Sequence, residues 1–355
     1  MSEPFDFDTP IDRRAVPALK THPMVLGDVG MDLFAAGVAD MDFQAAPVVR
    51  AAIARRAAHG VFGYEAVPEG LIPALAGWFA RRHGWAIDPA HILRAPNVLN
   101  ALSMALNLFT DAGDGVIVQP PVFFDFADII AENGRRMVAN PLKVHQGRHM
   151  MDFAGLETLA ADPRTRLLFL CNPHNPVGRV WSRAELARLG GICRRHGVLV
   201  VADEIHADIT FPGHPYTPFA SLSGADALNS VTCLSPAKSF NIAACSSAFT
   251  VIPDTARRKA FMAENSRLTV NKNNAFASVA MQAAYEQGGP WLDAALTYVQ
   301  GNVALVRKRL AGMAQVTMTE PEGTFLLWLD FRALGLTPDD LTRFLRHGAG
   351  WALTR

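Results

Sequence analysis

The chain has 355 residues, half of them apolar and 19% charged, with 33 basic side chains balanced by 33 acidic ones. That composition supplies a core and argues against a disordered chain or a polyanion binder built on basic excess, while leaving room for a local basic pocket. No apolar run approaches the ~18–20 residues of a spanning helix, and at ~100–200 residues per domain the length fits one large domain or two moderate ones. Cys171, Cys193, Cys233 and Cys245 form no CxxC pair and no ligand cluster, which reads as a reduced, cytoplasmic chain. Met1–Pro10 is acidic and lacks the basic and apolar regions of a signal peptide.

Taken in chain order, helices are predicted over Pro47–His59, Pro68–His83 and Asn97–Thr110, the last ending at Asp111-Ala112-Gly113-Asp114. A buried strand follows over Gly115–Gln119, then a helix over Phe123–Asn133 and a strand over Arg136–Ala139. Arg166–Cys171 and Val198–Asp203 read as apolar strands flanking a helix, Ser182–His196, whose Ser182 and Glu185 have capping-box spacing. Ser230–Leu234 and Ala248–Ile252 read as further strands. Asn271–Gln287 and Trp291–Met313 are long helix-like stretches. Gln315–Thr319, Phe325–Asp330 and Pro338–His347 read as a small α+β unit. Near-continuous apolar strands alternating with helices predict an α/β fold with a mostly parallel sheet covered on both faces, and ligands bind such sheets beyond the carboxyl ends of the strands.

No GxGxxG follows a strand, and there is no GxxxxGK[ST], HExxH or metal-spaced cluster. Four features stand at predicted strand ends instead. Cys171-Asn172-Pro173-His174-Asn175-Pro176-Val177-Gly178 is a stiff loop whose Asn amides can donate to a ligand oxygen; a purely local turn is the plain alternative. Asp203, with Glu204 and His206, ends an apolar strand, where a carboxylate is costly unless paired; a helix-cap or turn carboxylate is the plain alternative. The residue type fits a metal ligand, a ribose contact, a general base or a counter-ion to a ring nitrogen. Lys238, in Ser235-Pro236-Ala237-Lys238-Ser239-Phe240-Asn241, is one of only six lysines in an Arg-rich basic set, which favours a role for a deprotonable amine over a solvated loop lysine. Pro96-Asn97-Val98-Leu99-Asn100 opens a helix, where free amides suit phosphate, or simply an Asn cap. A phosphate cradle, an Asn donor, a buried Asp and a reactive Lys together are the parts of a pyridoxal phosphate site.

With Val38-Ala39-Asp40-Met41-Asp42-Phe43 and His59-Gly60-Val61-Phe62-Gly63-Tyr64, these segments run through nearly the whole chain. In them the chain resembles the MalY/PatB-type cystathionine β-lyases, or C–S lyases, of the fold-type I aminotransferase superfamily. The resemblance implies a large pyridoxal 5′-phosphate domain with a mostly parallel sheet over residues 46–289. It also implies an N-terminal arm with part of the small domain over 1–45 and a smaller α+β domain over 290–355. The family pattern continues beyond Gly350–Thr354, so the small domain is expected to be incomplete at Arg355, and the Arg that holds the substrate carboxylate in the superfamily has no match here.

The same resemblance makes Lys238 the lysine that links to the cofactor, Asp203 the partner of the ring nitrogen and Asn175 the donor to the 3′-oxygen. It makes Phe123 the stacking aromatic, where the subfamily often has Tyr. Val98, Leu99, Asn100 and Ser235 fall at the phosphate, and Tyr64 reaches the phosphate of a neighbouring subunit, which implies a homodimer with shared active sites. His206 stands where C–S lyases carry His, as a site residue or a structural one. The expected partners are a small amino-acid substrate and a second copy, with no nucleic acid and no membrane. The expected reaction is β-elimination from cystathionine or a related cysteine S-conjugate, giving a thiol, pyruvate and ammonia. An aminotransferase, or a cofactor-binding protein without turnover, are the alternatives.

Overall fold

The structure, a computed structural model, describes residues 5–13, 16–27, 33–245 and 247–352. It divides into two compact units, one of Ala45–Leu296 and Thr319–Trp328, the other of Met1–Gln44, Thr297–Met318 and Leu329–Arg355.

The larger unit is built on a sheet that has seven strands among the described residues: β1 (Ile92–Ala95), β2 (Gly115–Val118), β3 (Arg136–Ala139), β4 (Thr165–Cys171), β5 (Leu199–Asp203), β6 (Ser230–Leu234) and β7 (Ala248–Val251). Their order across the sheet is β1-β7-β6-β5-β4-β2-β3, and only β7 runs against its neighbours. Alternate residues of each apolar strand enter different cores. Val116, Val118, Phe169 and Val201 pack with the helices Val98–Phe109 and Asp125–Glu132, whereas Ile117, Leu168, Leu170 and Val200 pack with Phe153–Ala160 and Arg183–Arg195. A strand covered on both faces needs apolar residues at every position, which is why these segments read as continuous runs. Ser182 and Glu185 make both bonds of the capping box.

Several elements differ from expectation. The helix predicted from Phe123 begins at Asp125, leaving Phe123 and Phe124 on the loop before it. A hairpin, Lys143–His145 with Arg148–Met150, turns at Gln146 and Gly147, both at positive φ; its largely exposed, polar strands give no apolar signal. The helices Phe153–Ala160 and Thr255–Arg267 were also not expected. The smaller unit carries two short ladders, Phe34–Ala35 with Trp351–Ala352 and Thr317–Met318 with Leu329–Asp330. Within Gly350–Thr354, beyond which the family pattern continues, Leu353 and Thr354 lie outside the described residues.

Residues 319–328, expected in the small domain, fold with the larger unit, and an ion-pair network shows why. Glu322 is buried and accepts from Arg179 (3.0 Å to each oxygen), the Val180 amide (2.9 Å) and Arg148 Nε (2.9 Å). Arg179, fully buried, also pairs with Glu185 at 2.7 Å. Gly178 must be glycine here: its φ is +72°, and an added Cβ would stand 3.0 Å from Pro321 Cβ and 3.1 Å from the Gly323 carbonyl oxygen. Removing Glu322 leaves the Arg179 charge to Glu185 alone and the buried Val180 amide without its acceptor, so Glu322→Ala is expected to lower stability by about 2–4 kcal/mol in urea unfolding; a loss near zero would contradict this reading of the network.

Candidate active site

The register of the central strands sets the site. Cys171, Asp203 and Cys233 are neighbours across β4, β5 and β6, so three loops leave the sheet side by side at its carboxyl edge: Asn172–Gly178, Glu204–Asp208 and Ser235–Asn241. The helix that follows β1 starts at the same edge. Asn97 caps it, its side chain accepting from Asn100 N at 2.8 Å, and helix geometry leaves the Val98 and Leu99 amides without carbonyl partners inside the helix.

A cavity of about 260 Å³ lies at this edge, and Val98, Leu99, Phe123, Asn175, Asp203, His206, Ser235 and Lys238 all line it. A more open hollow of about 520 Å³, bordered by Arg55, Arg56, His59 and Glu65, contains none of the strand-end residues. Two expected site residues do not line the cavity. Asn100 lies one position further along the helix, with a buried side-chain oxygen that has no hydrogen-bond partner. Tyr64 is fully exposed on the loop between the helices Pro47–Ala58 and Leu71–His83.

The cavity's electrostatics follow from burial. Asp203 accepts from Ile205 N at 3.1 Å; burial, opposed by that bond and by the charge of Lys238, pushes its carboxyl up to about 6. Burial and then Lys238 push His206 down to about 3, which makes it a neutral imidazole at physiological pH. The His206 Nδ1 atom is buried with no hydrogen-bond partner, and its ring meets Phe325 edge to face at 5.7 Å. Lys238 is half-buried between Ala237 and Ser239. Ser235 Oγ donates to the Ser247 carbonyl at 2.7 Å and accepts from Ala237 N at 3.1 Å, holding the start of the lysine turn. Behind Asp203, Glu204 accepts from Tyr216 Oη, Phe219 N (2.9 Å) and Asn172 Nδ2 (3.1 Å), which braces the Asn172–Gly178 loop.

An acid costly to bury, an imidazole nitrogen without a partner, an amine and free helix amides around one cavity fit a flat heteroaromatic phosphate that carries a cationic ring nitrogen and a reactive carbonyl. Sequence reasoning missed Asp125, which lines the same cavity and whose carboxyl is raised by burial and Asp128 against the pull of Lys238. An acid two residues past the aromatic at a strand end was the available signal. Among the described residues there is no cluster able to hold a metal ion, and no helix is long and apolar enough to cross a membrane.

The family model for aminotransferase class I and II matches residues 33–354. The chain is 45% identical to the cystathionine beta-lyase PatB of Bacillus subtilis over 88% of its own length and 81% of the relative's. It is 31% identical to the MalY protein of Escherichia coli over 96% and 87%. Among solved structures it is similar to cystalysin from Treponema denticola, which contains pyridoxal 5′-phosphate (TM-score 0.93, 30% identity, 98% and 89% covered). It is also similar to the pyridoxal phosphate-bound C–S lyase of Staphylococcus hominis (TM-score 0.91, 28% identity, 99% and 89% covered). The chain belongs to the aminotransferase class I and II family, on the branch of its PatB and MalY relatives.

Proposed function

We propose that this protein is a pyridoxal 5′-phosphate-dependent carbon–sulfur β-lyase that releases a thiol, pyruvate and ammonia from L-cystathionine or a related cysteine S-conjugate. The observation that carries the reading is the convergence of Lys238, Asp203 and Asn175 on one cavity at the carboxyl ends of adjacent strands. The relatives named above favour elimination over amino transfer.

When bound, the cofactor supplies an electron sink for the pair left at the substrate's Cα. The protein does the rest. The Lys238 amine holds the cofactor between turnovers and, once displaced by substrate, takes the Cα proton. The Asp203 carboxylate holds a proton on the ring nitrogen, since an adjacent negative charge favours the cationic form. Asn175 donates to the 3′-oxygen and Phe123 covers a ring face. The Val98 and Leu99 amides hold the phosphate, with Asn100 steadying that turn, and Ser235 adds a donor there once its hydroxyl proton turns away from the Ser247 carbonyl. The uncharged His206 imidazole offers Nδ1 to a polar group of the bound pair. Tyr64, exposed in its own chain, reaches the phosphate held by a second copy, so the working unit is a homodimer, and the chain's four free cysteines suit the reducing cytoplasm.

Adding L-cystathionine to the protein reconstituted with pyridoxal phosphate is expected to displace the visible absorbance of the lysine-linked cofactor and to restore it as substrate is consumed. A band that cystathionine and other cysteine S-conjugates never perturb would leave a cofactor-binding protein without turnover.

A further inference from the structure

A buried carboxylate outside the cavity has no part in the chemistry above. Asp208 lies two residues past His206, and its side chain is almost wholly removed from solvent. It accepts from Trp78 Nε1 at 2.8 Å, lies 2.7 Å from His83 Nε2, and accepts from Ser239 Oγ at 2.9 Å. Ser239, itself buried, is the residue after Lys238. The bond therefore ties the turn that carries His206 to the turn that carries Lys238, from behind the cavity, while helix Leu71–His83 supplies the other two donors. Packing alone does not require a charge at this point, and burying one is costly unless it is fully satisfied. Burial by itself would push the Asp208 carboxyl up, yet its bonds to His83 and Trp78 and the nearby charges of His83 and Arg82 hold it below the usual range, so it is an anion whenever the cavity works.

We infer that Asp208 is a positioning residue for the reaction: through the Ser239 hydroxyl it fixes the Lys238 turn, and so sets where the lysine amine stands. This inference rests on the proposed role of Lys238. The titratable and charged groups facing Asp208 are His83 and Arg82 from helix Leu71–His83, Tyr216 from the loop after β5, and Tyr285 from helix Ala275–Gln287. A fixed anion bonded one residue from the lysine affects both the amine's placement and its proton affinity.

The test uses Ser239→Ala, Asp208→Asn and the double variant of the full chain loaded with pyridoxal phosphate. Measured on each are kcat, KM, the cofactor dissociation constant and the pH midpoint of the visible band. Each single variant is expected to lower kcat about tenfold with KM within about twofold and to move the band midpoint by about half a pH unit. The double variant is expected to be no worse than Asp208→Asn, because both changes cut one connection. Wild-type kcat and midpoint in Ser239→Ala would overturn the inference, as would single losses that multiply in the double variant. Should Asp208→Asn fail to fold, Ser239→Ala, which removes a single oxygen, decides alone. A wild-type chain with no lysine-linked band would instead sink the underlying role of Lys238.

Discussion

Lys238→Ala is expected to abolish the visible band of the lysine-linked cofactor and to cut thiol release by about ten-thousandfold or more. The size follows from two losses at one atom. The Nζ amine is both the group that bonds the cofactor and the base that reaches Cα, and each function is worth orders of magnitude. The residue sits half-buried on a turn that Ser235 and Ser239 hold from either side, so no other lysine can take its place: Lys20, Lys143, Lys259, Lys272 and Lys308 are all absent from the cavity lining. Lys238→Arg keeps a cation but offers no deprotonable amine at neutral pH, and it is expected to fail equally. Absorbance after reconstitution, read beside a thiol assay, checks both variants. Substantial turnover in either would contradict the assignment.

Asp203→Asn is expected to bind the cofactor but lose about a thousandfold in turnover, because a neutral amide does not keep the ring nitrogen protonated. It also separates two contributions to stability. The native Asp203 carboxyl titrates at about 6, above its unfolded value. The fold therefore binds the additional proton, and this group's contribution is full below about pH 4 and lost as pH rises through about 6. Glu204, raised to about 7 by burial, has the same sign. His174 and His206, lowered by burial to about 4 and about 3, have the opposite sign: their contribution is present above the unfolded histidine value and lost as pH falls through those values. The whole-protein pH curve mixes these opposing effects, and the difference between wild type and Asp203→Asn isolates one. Without cofactor the two are expected to be nearly equally stable at pH 4, and the Asn variant to be more stable by about 3 kcal/mol at pH 8. Pyridoxal phosphate is expected to reverse that order at pH 8, since its ring cation neutralises the carboxylate. Thermal or urea unfolding across pH, with and without cofactor, reads both arms; a constant gap at every pH would contradict the buried-anion reading.

Much of the candidate site, as a set of residues lining one cavity, was legible because it rests on local sequence. Cys171, Asp203 and Leu234 each close an apolar strand, and the residues just past them, Asn175, His206 and Lys238, inherit a shared edge from the strand register. Phe123 and the helix start at Val98 were readable from their loops in the same way. What was not legible depends on partners far apart in the chain. Glu322 meets Arg179 across 143 residues and returns residues 319–328 to the larger unit. Asp208 meets Trp78 across 130 residues and His83 across 125. Neither carboxylate has a neighbour in sequence that announces it. The hairpin Lys143–Met150 escaped for another reason: both faces are largely solvated, so it has no apolar alternation to read. Tyr64 was legible as a motif position, but its proposed contact belongs to a second chain, and in its own it lies in solvent.

The most direct test of the central claim is to incubate the reconstituted protein with L-cystathionine in the absence of any keto acid and to measure pyruvate. Elimination driven from the Lys238 cavity predicts continuous pyruvate release, with thiol and ammonia formed in equal amount. Pyruvate that stays at zero, with substrate consumed only once a keto acid is supplied, would contradict the lyase account and make the protein an aminotransferase.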